Sequence, residues 1–186
     1  MLQIRFLPGH APAVPRAPMP PSRSLMLGAV FLLSCSAHAP EAGRPASPLS
    51  TVVTTPNAAG EDIVLHTNSE RKALGLPPLL RSAPLMQAAQ LQASQMAGLA
   101  RMAHELPGAV YPTLDARLDA VGYRAGAAGE NVAEGYPTAA AVVAGWMTSP
   151  GHRANIVSTH FMEMGGGVAT GKNGRRYYAQ VFGAKR

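Results

Sequence analysis

Cysteine is nearly absent from these 186 residues: Cys35 stands alone. An internal disulfide is therefore impossible, and a catalytic thiol would have to come from this one position. Charged residues are only 14% and aromatics 5% of the chain. Long charged heptads are missing, which disfavours a coiled coil. No apolar run approaches the roughly 20 residues that a bilayer-spanning helix needs. The formal net charge is +6, yet no clustered Lys/Arg stripe with interleaved aromatics occurs, so no nucleic-acid partner is expected. No G-x-S-x-G elbow is present. GGVATGK (166–172) has phosphate-loop spacing, but Asn173 stands where magnesium binding needs Ser or Thr, and a hairpin is expected where a helix must begin. His104-Glu105 opens like a metalloprotease helix, but Pro107-Gly108 follow and no second His sits four residues on.

Apolar residues make up 47% of the chain, with 19 Gly and 17 Pro, enough for a packed domain of small residues. The first part of the chain reads differently from the rest. Arg5, Arg16 and Arg23 precede the apolar run Leu25–Leu33, and small residues follow it. A basic segment, a short apolar segment and small residues are the marks of an export signal. Counting from Met19 gives the compact form of that signal. Two cleavage readings stand. Phe31-Leu32-Leu33-Ser34-Cys35 resembles a lipobox, with Cys35 as the lipidated residue, and Ala37-His38-Ala39 resembles an ordinary signal-peptidase site. The lone thiol favours lipidation and hence a membrane anchor at the N-terminal side. Residues 1–39 are thus read as extension and signal, 40–60 as a Pro/Ser/Thr-rich linker, and 61–186 as the folded domain.

Within the domain, Ile63, Val64, Thr67, Arg71 and Leu74 fall on one helical face, with Gly75 as the stop. Ser82 and Pro84 start a second helix expected to run to His104. Thr113 caps a short third helix that stops at Gly122. Residues 122–135 read as irregular. Thr138 caps a fourth helix that Pro150 is expected to terminate. MGGGVAT and RRYYAQVFG form a closing hairpin about Gly171–Gly174. Trp146 is expected in the core, Asn131 and Asn155 on loop backbone, and Arg153 in an ion pair with Glu130 or Glu163. Tyr177 and Tyr178 alternate along a strand, so one is expected to face inward and the other outward.

The residues that can carry chemistry are dispersed: His104, Glu130, His152 and, at a distance, Glu163. Two imidazoles and a carboxylate suit a zinc or other divalent cation with an open position, or a metal-free hydrogen-bonded cluster. Spacing alone does not separate these from surface or capping histidines.

Taken in order, NSERKALGLPPL, His104, GENVAEG, AGWMTSPGHRANI, GGGVA and YYAQVFG resemble the CAP superfamily of cysteine-rich secretory, antigen 5 and pathogenesis-related proteins, in its bacterial SCP-like extracellular form. The resemblance implies an α+β fold: a three-layer α/β/α sandwich with a central antiparallel sheet and a cleft floored by histidines and acids. His104 and His152 match the cleft histidines, and Glu130 matches the acid in GEN. The second acid of the family pattern falls at Ser149 here. The resemblance implies an exported protein, periplasmic, outer-envelope or secreted. Its cleft is expected to bind a lipid, an envelope component or a divalent metal without catalysis. A metal-assisted hydrolase using the His/Glu cleft is the alternative. Convergence of the three residues is expected to raise at least one histidine pKa through the carboxylate.

Overall fold

The computed structural model describes residues 58–186; the export segment, Cys35 and the linker up to residue 57 lie outside the described residues. Helix α1 (Ala58–Ala73) buries Ile63, Val64, Thr67 and Arg71 of the expected face, while Leu74, also expected there, lies past the helix end and is exposed. Strand β1 is two residues, Leu80–Arg81. Helix α2 (Ala83–Leu99) follows, with Pro84 in its first turn, and ends in a left-handed Ala100. It stops short of the expected His104. Helix α3 is Leu114–Ala120, capped by Thr113, whose side chain accepts from Ala116 N. Strand β2 spans Ala125–Glu134, so the Gly-rich stretch expected to be irregular is instead a ten-residue strand. Helix α4 is Ala139–Thr148, capped by Thr138. Pro150 does not simply end it. Ser149 closes α4 in extended backbone, and Pro150 becomes the first residue of helix α5 (Pro150–Val157), a position where its missing N–H costs nothing. Strands β3 (Glu163–Thr170) and β4 (Arg176–Lys185) form the hairpin.

The sheet order is β1-β3-β4-β2. β2 and β3 both run antiparallel to β4, and only the short β1 pairs in parallel with β3. One face packs Ile63, Val142, Trp146 and Ile156 of α1, α4 and α5 against Tyr178 and Phe182. The other packs Leu85, Ala89, Met96 and Leu118 of α2 and α3 against Val132, Tyr177 and Val181. Two covered faces explain why β4 is buried along almost its whole length. They also correct the expectation for the tyrosines: Tyr177 and Tyr178 do point to opposite faces, and both are buried.

The exposed edges of this small sheet are closed by side chains, which removes templates for strand addition. Asn68 bonds both the N–H and the C=O of Leu79, beside β1. Gln90 does the same to Val168 on β3. On the β2 edge, Trp146 Nε1 donates to Val132 O and Asn155 Nδ2 donates to Glu130 O. The expected core role of Trp146 and the backbone-tying role of Asn155 therefore hold together at one edge.

Arg71, fully buried in α1, donates to Pro77 O, Ile156 O and Ser158 O. It thereby holds the carbonyls at the end of α5 to the turn after α1. Arg71→Met keeps the apolar stem but leaves three acceptors short of donors. We expect a loss of about 2–3 kcal/mol, read as a lowered urea midpoint with an unchanged m-value.

Candidate functional site

Glu130 sits on the α2/α3 face of the edge strand β2, and its side chain is 4% exposed. Burying a carboxylate there requires partners. Oε2 accepts from Arg117 Nη2 at 2.6 Å, and Oε1 is 3.0 Å from His104 Nδ1. Arg117 is fully buried and donates a second bond to Tyr111 O. The sequence reading missed Arg117; Arg153, expected as the partner of Glu130, is exposed instead.

His104 is carried by the loop between α2 and α3, and that loop is held along its length. Gln92, fully buried in α2, donates to Ala103 O and His104 O. Gln95 bonds both N–H and C=O of Tyr111. The His104 side chain is 35% exposed. With Nδ1 turned to Glu130, the ring's accessible part is its far side, which includes Nε2.

His152 reaches the same place from the opposite layer, in the first turns of α5. Its backbone carbonyl accepts from Asn131 Nδ2, which also bonds Gln180 Oε1. Asn155 Nδ2 bonds Asn131 Oδ1, and Gln180 Nε2 bonds Thr67 Oγ1. This buried amide chain ties α1, β4, β2 and α5 together behind the histidine. The two histidines come from opposite helical layers and lie near enough for their charges to interact. Burial pushes the His152 pKa below its ordinary 6.5, and the nearby His104 adds to the effect. This direction opposes the expected carboxylate-driven rise. Unfolded His152 takes up protons that the folded ring refuses, so stability is lost as pH falls through the ordinary imidazole range. We expect the His152 contribution to be lost as pH falls below about 6.5, and the His152→Gln variant to show a shallower decline in denaturation midpoint on acidification.

Among the described residues, no group of three or more His, Cys, Asp or Glu side chains is placed to hold a metal ion. In the set expected from the sequence (His104, His152, Glu130), both Glu130 oxygens already have partners. Ser149 lies at the α4–α5 junction, half-buried, with no side-chain cap bond. Glu163 forms a different cluster at the start of β3, where Lys185 Nζ lies 3.1 Å from Oε1. Burial opposes its charge there, but Lys185, Tyr123 and Ser82 together bring its pKa down. The Tyr123 hydroxyl is pushed up, first by burial and then by Glu163.

A four-stranded sheet between two helical layers is the fold this chain shares with SCP-domain proteins. The chain belongs to the cysteine-rich secretory protein (CAP) family, whose sequence model matches residues 64–182. It is 30% identical over 132 residues to the uncharacterized protein YkwD of Bacillus subtilis, covering 71% of this chain and 51% of that protein. The chain thus spans about half the length of this curated relative. An extracellular protein of Bacillus anthracis containing an SCP domain matches with TM-score 0.61 and 28% identity, over 68% of this chain and 40% of that one. An outer surface protein of Borrelia burgdorferi shares the fold at TM-score 0.61 and 22% identity, over 68% and 94% of the two chains. Among the described residues no helix is long and apolar enough to cross a membrane.

Proposed function

We propose that this chain is an exported, non-catalytic binding module whose cleft receives a hydroxyl-bearing group of a cell-envelope component. Leu25–Leu33 serves as its export segment and Cys35 as its lipid attachment point. One observation carries the cleft reading: Glu130 is engaged by Arg117 and His104, so the cleft offers imidazoles and no free carboxylate. The Arg117 and Glu130 charges offset each other, and burial favours the neutral form of His152. Neutral imidazole nitrogens accept from, or donate to, hydroxyl groups. A hydrolase that works through a side-chain nucleophile would need that group beside its base. Among the described residues, no Ser, Thr or Cys side chain is hydrogen-bonded to His104 or His152. The description of the Bacillus anthracis relative as extracellular supports the compartment.

The test incubates the purified chain with soluble cell-wall glycan fragments and, separately, with vesicles of extracted envelope lipid. Saturable binding that shifts the His104 and His152 ring signals, and weakens at least tenfold in His104→Ala and His152→Ala, is expected. Release of cleaved products detected by mass spectrometry would overturn the non-catalytic reading. Binding that both variants retain in full would place the ligand outside the cleft.

A further inference from the structure

A concave site lies apart from the two histidines and shares no residue with His104, Glu130 or His152. Asp62 of α1 and Arg176 at the start of β4 line one cavity of 430 Å³, with Val168, Ala139 and the Tyr178 ring as its apolar wall and Thr138 at its rim. The size lies within the roughly 300–1,000 Å³ of small-molecule sites. The two opposite charges do not pair with each other. Among the described residues neither has an ion-pair partner, whereas Glu61, Glu130, Glu134 and Glu163 all do. Among the described residues the Arg176 guanidinium donates only to Pro137 O, and no carboxylate there offsets its charge. Thr138 Oγ1 accepts from Ala141 N, and its own hydrogen remains free to donate. The Tyr178 hydroxyl is committed to Tyr136 O, so that residue presents its ring and no donor.

This pattern selects among ligand chemistries. A simple anion would be attracted to Arg176 and repelled by Asp62, and a simple cation the reverse. A neutral apolar molecule would use neither charge. A ligand with an ammonium and a carboxylate a few bonds apart engages both, because once one end binds the other is held at high effective concentration. We propose that this cavity binds a small zwitterion of amino-acid or dipeptide size. Its ammonium lies toward Asp62, its carboxylate toward Arg176 and the Thr138 hydroxyl, and its apolar side chain over Val168. The proposal is independent of the cleft reading.

The full chain, labelled with nitrogen-15, is titrated with L-valine and with Ala-Ala, and in parallel with N-acetyl-L-valinamide, which lacks both charges. Saturable shifts at the amides of Thr138, Ala139 and Thr170 are expected, with the His104 and His152 ring signals unmoved. Asp62→Asn and Arg176→Gln change exposed side chains, so the fold should persist, and each should weaken binding at least tenfold. The uncharged analogue should bind at least tenfold more weakly as well. No saturable shift up to about 20 mM, equal binding of the uncharged analogue, unaffected variants, or shifts confined to the histidines would each overturn the proposal.

Discussion

Gly167→Ala should cost about 3 kcal/mol or more, an unusually large effect for a single methyl group. Residues 165–167 are three consecutive glycines in the central part of β3, and each allows a helix to approach the strand. A Cβ on Gly167 would lie closer than 3.0 Å to the backbone carbonyl of Ala89 in α2, and one on Gly165 would meet the backbone of Leu85 and Met86. Gly166 faces the other layer, where a Cβ would meet Gly60 O of α1. The obstacles are main chain and not flexible side-chain ends, so relief requires moving a whole helix in an interior that is close-packed. Displacing α2 would also pull Gln90 from Val168 and Gln92 from His104 O. Gly98 supplies the control. It lies in α2 itself with nothing within 4 Å of its would-be Cβ, so Gly98→Ala should stabilise by about 0.5–1 kcal/mol. Chemical denaturation of the two variants should move the midpoint in opposite directions. A Gly167→Ala midpoint equal to wild type would show that α2 does not seat on β3 as described.

The elements most legible from sequence are those with a local cause. The α1 face, the Thr113 and Thr138 caps and the closing hairpin each rest on spacing or cap chemistry within a few residues. The misread elements depend on distant partners. Residues 125–134 carry glycine and alanine where an ordinary strand carries branched residues. They form β2 because β4 pairs along their length and because Trp146 and Asn155 close the outer edge. Pro150 is incompatible with a helix interior, as the sequence suggests, but the same property makes it a good first residue for α5. Ser82 stands at the expected start of α2 but makes no side-chain cap bond; its own N–H is held by Met164 O.

At the site, the matched motifs point to the location, and the physics of burial explains the wiring. The resemblance locates His104, Glu130 and His152, yet it does not reveal what neutralises a buried glutamate. Arg117 lies in LDARLDA between Asp115 and Asp119, where a charge of either sign reads as a solvated helix surface. Only the packing of α3 onto β2 turns that one side chain inward. A usable signal is present all the same: a carboxylate in a strand flanked by Val132 and Ala133 must find a cation, and few cations in this chain are placed on elements able to cover that strand. Gln92 and Gln180 carry no such signal, because amides are common on alanine-rich helices and on strands alike. Thr67 and Arg71 are different. Both fall on the apolar stripe of α1 in the sequence pattern, and that position points to their burial directly.

Replacement of Arg117 by methionine should cost about 3–5 kcal/mol, the range for stranding one member of a buried ion pair. Methionine fills much of the volume, so the cost comes from the charge left on Glu130 and not from a cavity. His104 cannot make up the loss, since it already occupies Oε1 and is partly in solvent. The corresponding Glu130→Met change strands the fully buried Arg117 guanidinium, which would retain only its bond to Tyr111 O, and should be comparably severe. The double variant carries no buried charge at either position. Replacing a whole buried pair by apolar residues of similar volume is often neutral or stabilising. The Arg117→Met/Glu130→Met protein should therefore be clearly more stable than either single variant, with a coupling energy of about 2–3 kcal/mol in a double-mutant cycle. Stability and site geometry should then separate. The double variant folds, but His104 loses the acceptor that orients its Nδ1, and the cleft should bind its ligand more weakly even though the fold is intact. Denaturation of the four proteins measures the coupling. The His104 ring signals, compared at a pH where the ring is neutral, report whether its proton remains on Nδ1. Additive single-variant losses would show that Arg117 and Glu130 act independently. A ring unchanged in the double variant would show that the loop bonds from Gln92, and not Glu130, orient His104.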